Sequence, residues 1–225
     1  MTPLGRAPYG GVMSSTDESR RALVEVAEKL YATRGIDGVS LRDIAAAAGH
    51  RNNSAVQYHF GDRDGLLTAI FRSRMSAIND VRRDRLDELD RQGRGEDVRA
   101  LVEAGIRPLT DFLASAPEAT HYARFLARVS PSVDFFDEEF AALWDANAEV
   151  VRRLTRLLPH LSPRTAVERI DLVFNMSVSA LAIFEQRQEK GIPVVRADFD
   201  ETVDHLIDMA VGALQAEDSH ARLDH

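Results

Sequence analysis

The sequence predicts an all-α protein, with a three-helix N-terminal domain followed by a larger helical domain. Three observations carry that expectation. From Asp17 onward helix formers dominate, and no run alternates in Val, Ile and Thr as a strand does. Apolar residues recur at helical spacing through most of the chain. Pro117, Pro131, Pro159, Pro163 and Pro193 all stand at segment boundaries. Pro108 alone falls inside a helical pattern, where it is expected to kink or break the helix.

Taken in order, residues 1–16 are rich in Gly, Pro, Ser and Thr without periodicity and read as a flexible arm. The first helix spans about Glu18 to Arg34, with Leu23, Val26, Ala27, Leu30 and Tyr31 on one face. Gly35 ends it as a left-handed cap. Ser40 and Asp43 form a capping-box-like start for a two-turn helix, Leu41 to Ala48, which Gly49 stops. A third short helix fits Asn53 to Phe60. Gly61 breaks it, and Asp62 caps a fourth that carries Leu66, Leu67, Ile70, Phe71, Met75 and Ile78 as far as about Leu89. Five further helical stretches follow: Glu96–Ala114, Glu118–Val129, Asp137–Leu158, Pro163–Lys190 and Asp198–Gln215. The segmentation implies an arm at 1–16, a three-helix N-terminal domain at 17–63 and a larger helical domain at 64–225.

Composition narrows the function. The chain has 225 residues, long enough for one or two domains with a real core. It has no cysteine, which excludes a disulfide scaffold, Cys-ligated zinc and thiol catalysis. No apolar run approaches the ~18 residues of a membrane span, and the N-terminus lacks a hydrophobic signal core. A cytoplasmic protein without a membrane role is therefore expected. The formal net charge of −8 disfavours a nucleic-acid binder at first sight. Divided by region, it does not. Residues 14–75 carry nine Lys/Arg against eight Asp/Glu, whereas residues 76–225 carry eighteen against twenty-eight. Acidity belongs to the C-terminal part, and phosphate contacts need local cations rather than a positive total.

The informative constellation is two short helices meeting at Gly49. Ala45 is small enough for close helix crossing, Gly49 permits the positive φ of a sharp turn, and Ile44, Ala48 and Val56 supply a shared core. This is the physical recipe of a helix-turn-helix, whose second helix enters the DNA major groove. In the segment from Arg51 to Phe60, Asn52, Asn53 and Gln57 can pair with adenine, and Ser54 can reach several base edges. Arg51, Tyr58 and His59 suit phosphates, and Arg63 adds a cation near backbone amides that also favour an anion.

These residues carry a resemblance. Ala27-Glu28-Lys29-Leu30-Tyr31 with Arg34-Gly35, Ser40-Leu41-Arg42-Asp43-Ile44-Ala45 with Ala48-Gly49, Tyr58-His59-Phe60 and Leu66-Leu67 occur in this order. The stretch Arg20 to Phe71 resembles the DNA-binding domain of the tetracycline-repressor (TetR) family of transcriptional regulators. The resemblance implies a homodimer that binds a palindromic operator on double-stranded DNA, usually as a repressor, and that responds to a small-molecule effector. It implies that Ser40, Tyr58, His59 and Arg63 hold phosphates while Asn53, Ser54 and Gln57 face bases. Three positions depart from the family pattern. One extra residue falls within His50–Asn53, which leaves the base-reading register open by one position. Gln57 stands where Tyr is frequent, and Arg63 where Lys is usual.

The C-terminal part adds two expectations. Ile170, Val173, Phe174, Ser177, Leu181 and Phe184 form one stripe of the Pro163–Lys190 helix, and Leu172, Met176, Ser179 and Ile183 another. A helix apolar nearly all round is buried on both sides. With the stripe Val203, Leu206, Ile207, Ala210, Val211 and Leu214 of the last helix, it suits a four-helix dimer interface, where Ser177, Ser179 and Ala180 would permit close approach. A ligand pocket is implied by the resemblance alone. Its candidate liners are Phe112, Tyr122, Phe125, Trp144, Phe174 and Met176, which suit a mainly apolar effector. His121, Tyr122 and Trp144 are available for a polar group. Two rivals are a helical interaction protein and a ligand-binding enzyme without a DNA role. No His-Glu-x-x-His, P-loop, Gly-x-Ser-x-Gly or dinucleotide fingerprint supports an enzyme, and no cofactor or metal is expected. The acidic stretch Asp134–Glu139 reads as a solvated helix start rather than a metal site.

Overall fold

A computed structural model describes residues 15–51, 54–115, 120–130, 143–192 and 199–218. Among these residues the secondary structure is helical throughout: α1 (Ser15–Arg34), α2 (Leu41–Ala47), α3 (Ser54–Phe60), α4 (Arg63–Arg91), α5 (Val98–Ser115), α6 (Tyr122–Val129), α7 (Asp145–Arg156), α8 (Pro163–Glu189) and α9 (Phe199–Gln215). The all-α expectation holds.

Local chemistry sets the helix ends. Gly35 has φ +77° and donates its N–H to Tyr31 O at 2.9 Å, closing α1. At α2 the capping box is complete: Asp43 N donates to Ser40 Oγ at 3.2 Å, and Ser40 N donates to Asp43 Oδ2 at 2.9 Å. Asp62 caps α4 by accepting Gly65 N–H at 2.9 Å. Ser162 caps α8 by accepting Thr165 N–H at 3.1 Å, with Pro163 in the first turn. Asp97 accepts Ala100 N–H at 3.0 Å ahead of α5.

Several boundaries differ from the sequence reading. Thr120 and His121 are not helical, so α6 begins at Tyr122 rather than Glu118, and Leu143 and Trp144 form a turn, so α7 begins at Asp145 rather than Asp137 and ends at Arg156 rather than Leu158. The first helix starts at Ser15, inside the expected arm, because Asp17 and Glu18 give it an acidic first turn that suits the positive end of the helix dipole. The rest of the arm, residues 1–14, lies outside the described residues. The fourth helix continues to Arg91, past Leu89. Pro108 breaks nothing: α5 runs through it. An interior proline costs ~3 kcal/mol, but α5 buries Leu101, Val102, Ile106 and Leu109 around it, and each fully buried aliphatic side chain is worth ~1.5–3 kcal/mol.

Among the described residues, buried side chains gather in two clusters. The first joins Leu23, Ala27 and Tyr31 of α1, Ile44 and Ala45 of α2, Val56 of α3, and Leu66, Ile70 and Phe71 of α4. It continues into Leu109 of α5, Tyr122, Phe125 and Leu126 of α6, and Leu181 of α8. The second joins Leu86 and Leu89 at the end of α4 to α5, α7, the first half of α8, and Val203, Ile207, Ala210 and Leu214 of α9. The N-terminal three helices thus share one continuous core with α4, α6 and α8. No helix among the described residues is long and apolar enough to cross a membrane.

Candidate functional site

The N-terminal helices form a turn built on three buried residues. Ile44 and Ala45 of α2 and Val56 of α3 have no exposed surface. Gly49 adopts φ +83°, and His50 N donates to Ala45 O at 2.8 Å, folding the chain back after α2. The His50 ring lies 3.2 Å from Ser19 Oγ, tying the turn to α1. With Val56 turned inward, α3 leaves Ser54, Gln57 and Tyr58 exposed. The Tyr58 side chain is 78% exposed, a large ring that no core element claims.

The remaining candidates divide by burial. Phe60 is half-buried against the first core, with the Arg20 guanidinium 5.2 Å from its ring centroid. His59 is half-buried and meets Tyr58 edge-on at 5.0 Å. Burial, helped by nearby Arg20 and His50, holds its imidazole below the ordinary range. The ring is then neutral at physiological pH and offers one N–H donor. Ser40 is exposed at the start of α2, and Arg51 is exposed just before α3. Arg63 is half-buried and donates to Val39 O at 3.3 Å, so it braces the loop before α2 as well as standing at the start of α4. Asn52 and Asn53 lie outside the described residues. Two short helices hinged at Gly49, the second holding polar side chains away from a buried floor, define a DNA-binding protein of the helix-turn-helix class.

A family profile described as "Bacterial regulatory proteins, tetR family" matches residues 23–70. Another, described as "Tetracyclin repressor-like, C-terminal domain", matches residues 103–213. The chain belongs to the TetR family of bacterial transcription regulators. Solved structures share its fold. A TetR family transcription regulator from Marinobacter aquaeolei VT8 is 19% identical, with 88% of this chain and 95% of that chain covered and a TM-score of 0.59. PfmR of Thermus thermophilus is 17% identical, covering 85% and 97%, with a TM-score of 0.54. NalD, the secondary repressor of the MexAB-OprM multidrug efflux pump in Pseudomonas aeruginosa, is 18% identical, covering 89% and 97%, with a TM-score of 0.51. No curated protein matches the chain.

The candidate pocket liners fall into three places. Phe112, Tyr122, Phe125 and Trp144 come together: Tyr122 stacks on Phe125 at 5.9 Å and meets Phe112 edge-on at 5.9 Å, while Phe71 joins Phe125 and Trp144. Phe174 stands apart in the second core, its ring directly over Gly105. Met176 is 59% exposed on the outer face of α8, beside Leu172 and Ile183. Of the two stripes on α8, the one with Ile170, Val173, Ser177 and Leu181 is buried within the chain, and the one with Leu172, Met176, Ser179 and Ile183 is exposed. Ser177 therefore faces inward, donating to Val173 O at 2.9 Å, and does not line the outer face.

Sequence reasoning missed a buried polar joint between α1, α4, α6 and α8. Glu28 of α1 accepts from Arg74 of α4 at 2.8 Å and from the His121 backbone N–H. Glu185 of α8 accepts the Arg124 backbone N–H at 3.1 Å and its Nε at 3.2 Å, together with the Thr120 hydroxyl. Arg124 also donates to Glu189 at 2.6 Å. The start of α6 is therefore held between a carboxylate of α1 and one of α8. The signal was present: Glu28 and Glu185 occupy positions in otherwise apolar registers, Val24–Ala27–Tyr31 and Val178–Leu181–Ala182. Among the described residues no cluster of metal-ligating side chains occurs. The Asp134–Glu139 stretch lies outside them.

Proposed function

We propose that the chain is an effector-responsive regulator, a repressor by family analogy, that binds a palindromic operator as a homodimer. The observation that carries the DNA reading is the exposed edge of α3. Tyr58 stands in solvent beside Ser54 and Gln57, and Val56 anchors the opposite side. Ser54 and Gln57 face bases, with Asn52 and Asn53 as their neighbours in sequence. Ser40, Arg51, Tyr58, His59 and Arg63 hold the flanking phosphates.

The dimer reading is supported by the outer faces of α8 and α9. Leu172, Met176 and Ile183 on α8 and Met209 on α9 are large apolar side chains left exposed. A second copy of the chain would cover them with twofold symmetry, and two readers would then meet DNA about one helical turn apart, ~34–36 Å. The effector reading is supported by the aromatic group Phe112, Tyr122, Phe125 and Trp144, which adjoins the joint at the start of α6. A ligand that prefers one setting of α6 biases α1 through Glu28 and α8 through Glu185, shifting the population toward a spread that no longer fits successive grooves.

Binding-site selection from random duplex DNA tests the reading. A twofold-symmetric sequence bound with steep salt dependence is expected. Enrichment of an asymmetric sequence sinks the dimer, and no enrichment at all sinks the DNA role and returns the helical interaction protein.

A further inference from the structure

Among the described residues, Arg82 is a buried cation without a matching anion. It lies on α4 with 4% of its surface exposed. Its side chain donates to Asn79 Oδ1 and, at 3.1 Å, to the Gly105 carbonyl of α5, both neutral acceptors. Its Nε has no partner. Among the described residues no carboxylate lies within ion-pair distance of it. The acidic group that acts on it, Asp145 of α7, is exposed and pairs with Arg83 at 3.4 Å. Burial pushes the Arg82 guanidinium down to about 10, which still leaves it charged at neutral pH. Taking a charge out of water is costly, and an opposite charge is what ordinarily offsets that cost.

A second orphan stands on α6. Tyr122 has no exposed surface, and its hydroxyl has no partner. Burial raises its ionisation well above the ordinary range, so it remains a donor, and it interacts electrostatically with Arg82. Both unanswered groups are donors. Tyr122 itself sits among apolar rings: it contacts Phe112 and Phe125, and Phe71 links Phe125 to Trp144. Asn79 is already spent, donating to Leu143 O while accepting from Arg82.

We propose that Arg82 and Tyr122 form an anion-receiving subsite in the regulatory core, so that the effector is a small apolar acid. Its carboxylate accepts from the Arg82 guanidinium and the Tyr122 hydroxyl, and its apolar part lies among Phe112, Phe125 and Trp144. The assignment rests on the effector reading above and adds to it the charge of the ligand. Arg suits the role because its planar fork matches a carboxylate and holds its proton where a lysine would lose it.

The test uses the full-length chain and matched probes: 4-phenylbutyrate and decanoate, each beside its primary amide, at millimolar concentration. Thermal unfolding is read for the unaltered chain, Y122F and R82M. At least one acid is expected to raise the midpoint where its amide does not. In Y122F the unliganded midpoint is expected to hold or rise, because the lost hydroxyl was buried without a partner, while acid affinity falls roughly tenfold or more. In R82M the acid shift is expected to vanish; if R82M does not fold, Y122F decides alone. Equal shifts from acid and amide overturn the anionic subsite and leave the effector pocket standing. An acid shift undiminished in Y122F or retained in R82M, or no shift from either acid, also overturns it. Duplex binding by the same preparations separates these failures from a failure of the DNA reading.

Discussion

Tyr58 is an aromatic ring in solvent on a helix whose other side is fully packed, so its loss should cost the fold little and DNA binding much. Tyr58→Ala is expected to change unfolding stability by less than about 0.5 kcal/mol. It should weaken operator binding roughly tenfold or more, the worth of a hydrogen bond to a charged phosphate, in a titration at fixed salt. His59→Ala is expected to lose a similar factor in binding. Dimerisation and DNA binding both unchanged in the pair of variants would rule out the helix-turn-helix assignment. His121 gives the pH dependence. Burial and Arg124 hold its imidazole below the ordinary value of 6.5. Glu189 lies 3.5 Å from the ring and opposes this, but it is also engaged by Arg124 at 2.6 Å, and burial prevails. A histidine depressed in this way contributes stability that is present above 6.5 and is lost as pH falls through its lowered value. The thermal midpoint of the unaltered chain should therefore drop more than that of His121→Gln between neutral and mildly acidic pH. Glu28, raised by burial, and Glu185 remain in both proteins, so the difference between the two curves isolates His121.

At the scale of elements, the joint at the start of α6 and the α3–α4 turn hold the parts in register. Glu185→Ala removes the acceptor for the Ala123 and Arg124 backbone amides and the Thr120 hydroxyl, and leaves the Arg124 guanidinium with Glu189 alone. Breaking such a buried pair is expected to cost about 3 kcal/mol in denaturant unfolding. At Gly65 an added Cβ would collide with the Phe60 carbonyl oxygen, a backbone atom with no room to yield. Gly65→Ala is expected to destabilise the fold by about 1–3 kcal/mol and to weaken DNA binding further by displacing α3. The sequence made the helices legible wherever capping residues bracketed an apolar period, as Ser40, Asp62 and Ser162 do. It made α3 legible through the Gly49 turn and Tyr58-His59-Phe60. It did not reveal that Pro108 would be carried through α5, because tertiary burial outweighs a local penalty. Nor did it reveal Arg82, which stands in the register Met75–Ile78–Arg82–Leu86–Leu89 and reads there as one polar interruption of an apolar stripe. Only the packing of α5 and α7 against α4 turns it into a buried charge.

The whole molecule divides its labour by charge and by exposure. The acidic excess lies in residues 76–225, whereas residues 14–75 are near balance, so few like charges would crowd phosphates at the proposed α3 edge. The exposed apolar faces of α8 and α9 should self-associate. Leu172→Glu with Met176→Glu is expected to give a monomer by sedimentation while helical content stays unchanged, and to abolish binding to a twofold-symmetric duplex. A dimer that persists in this variant would move the interface elsewhere. The continuous core described above bears on protein engineering. Chimeric regulators are made by splicing the reader of one protein onto the sensor of another. A splice at residue 63 here would separate Val56 and Tyr31 from Leu66, Ile70 and Phe125, which pack as one body. A working graft would instead transplant the outward side chains of α3 and leave its floor in place, so that DNA specificity is rewritten as a surface while the scaffold beneath is inherited whole.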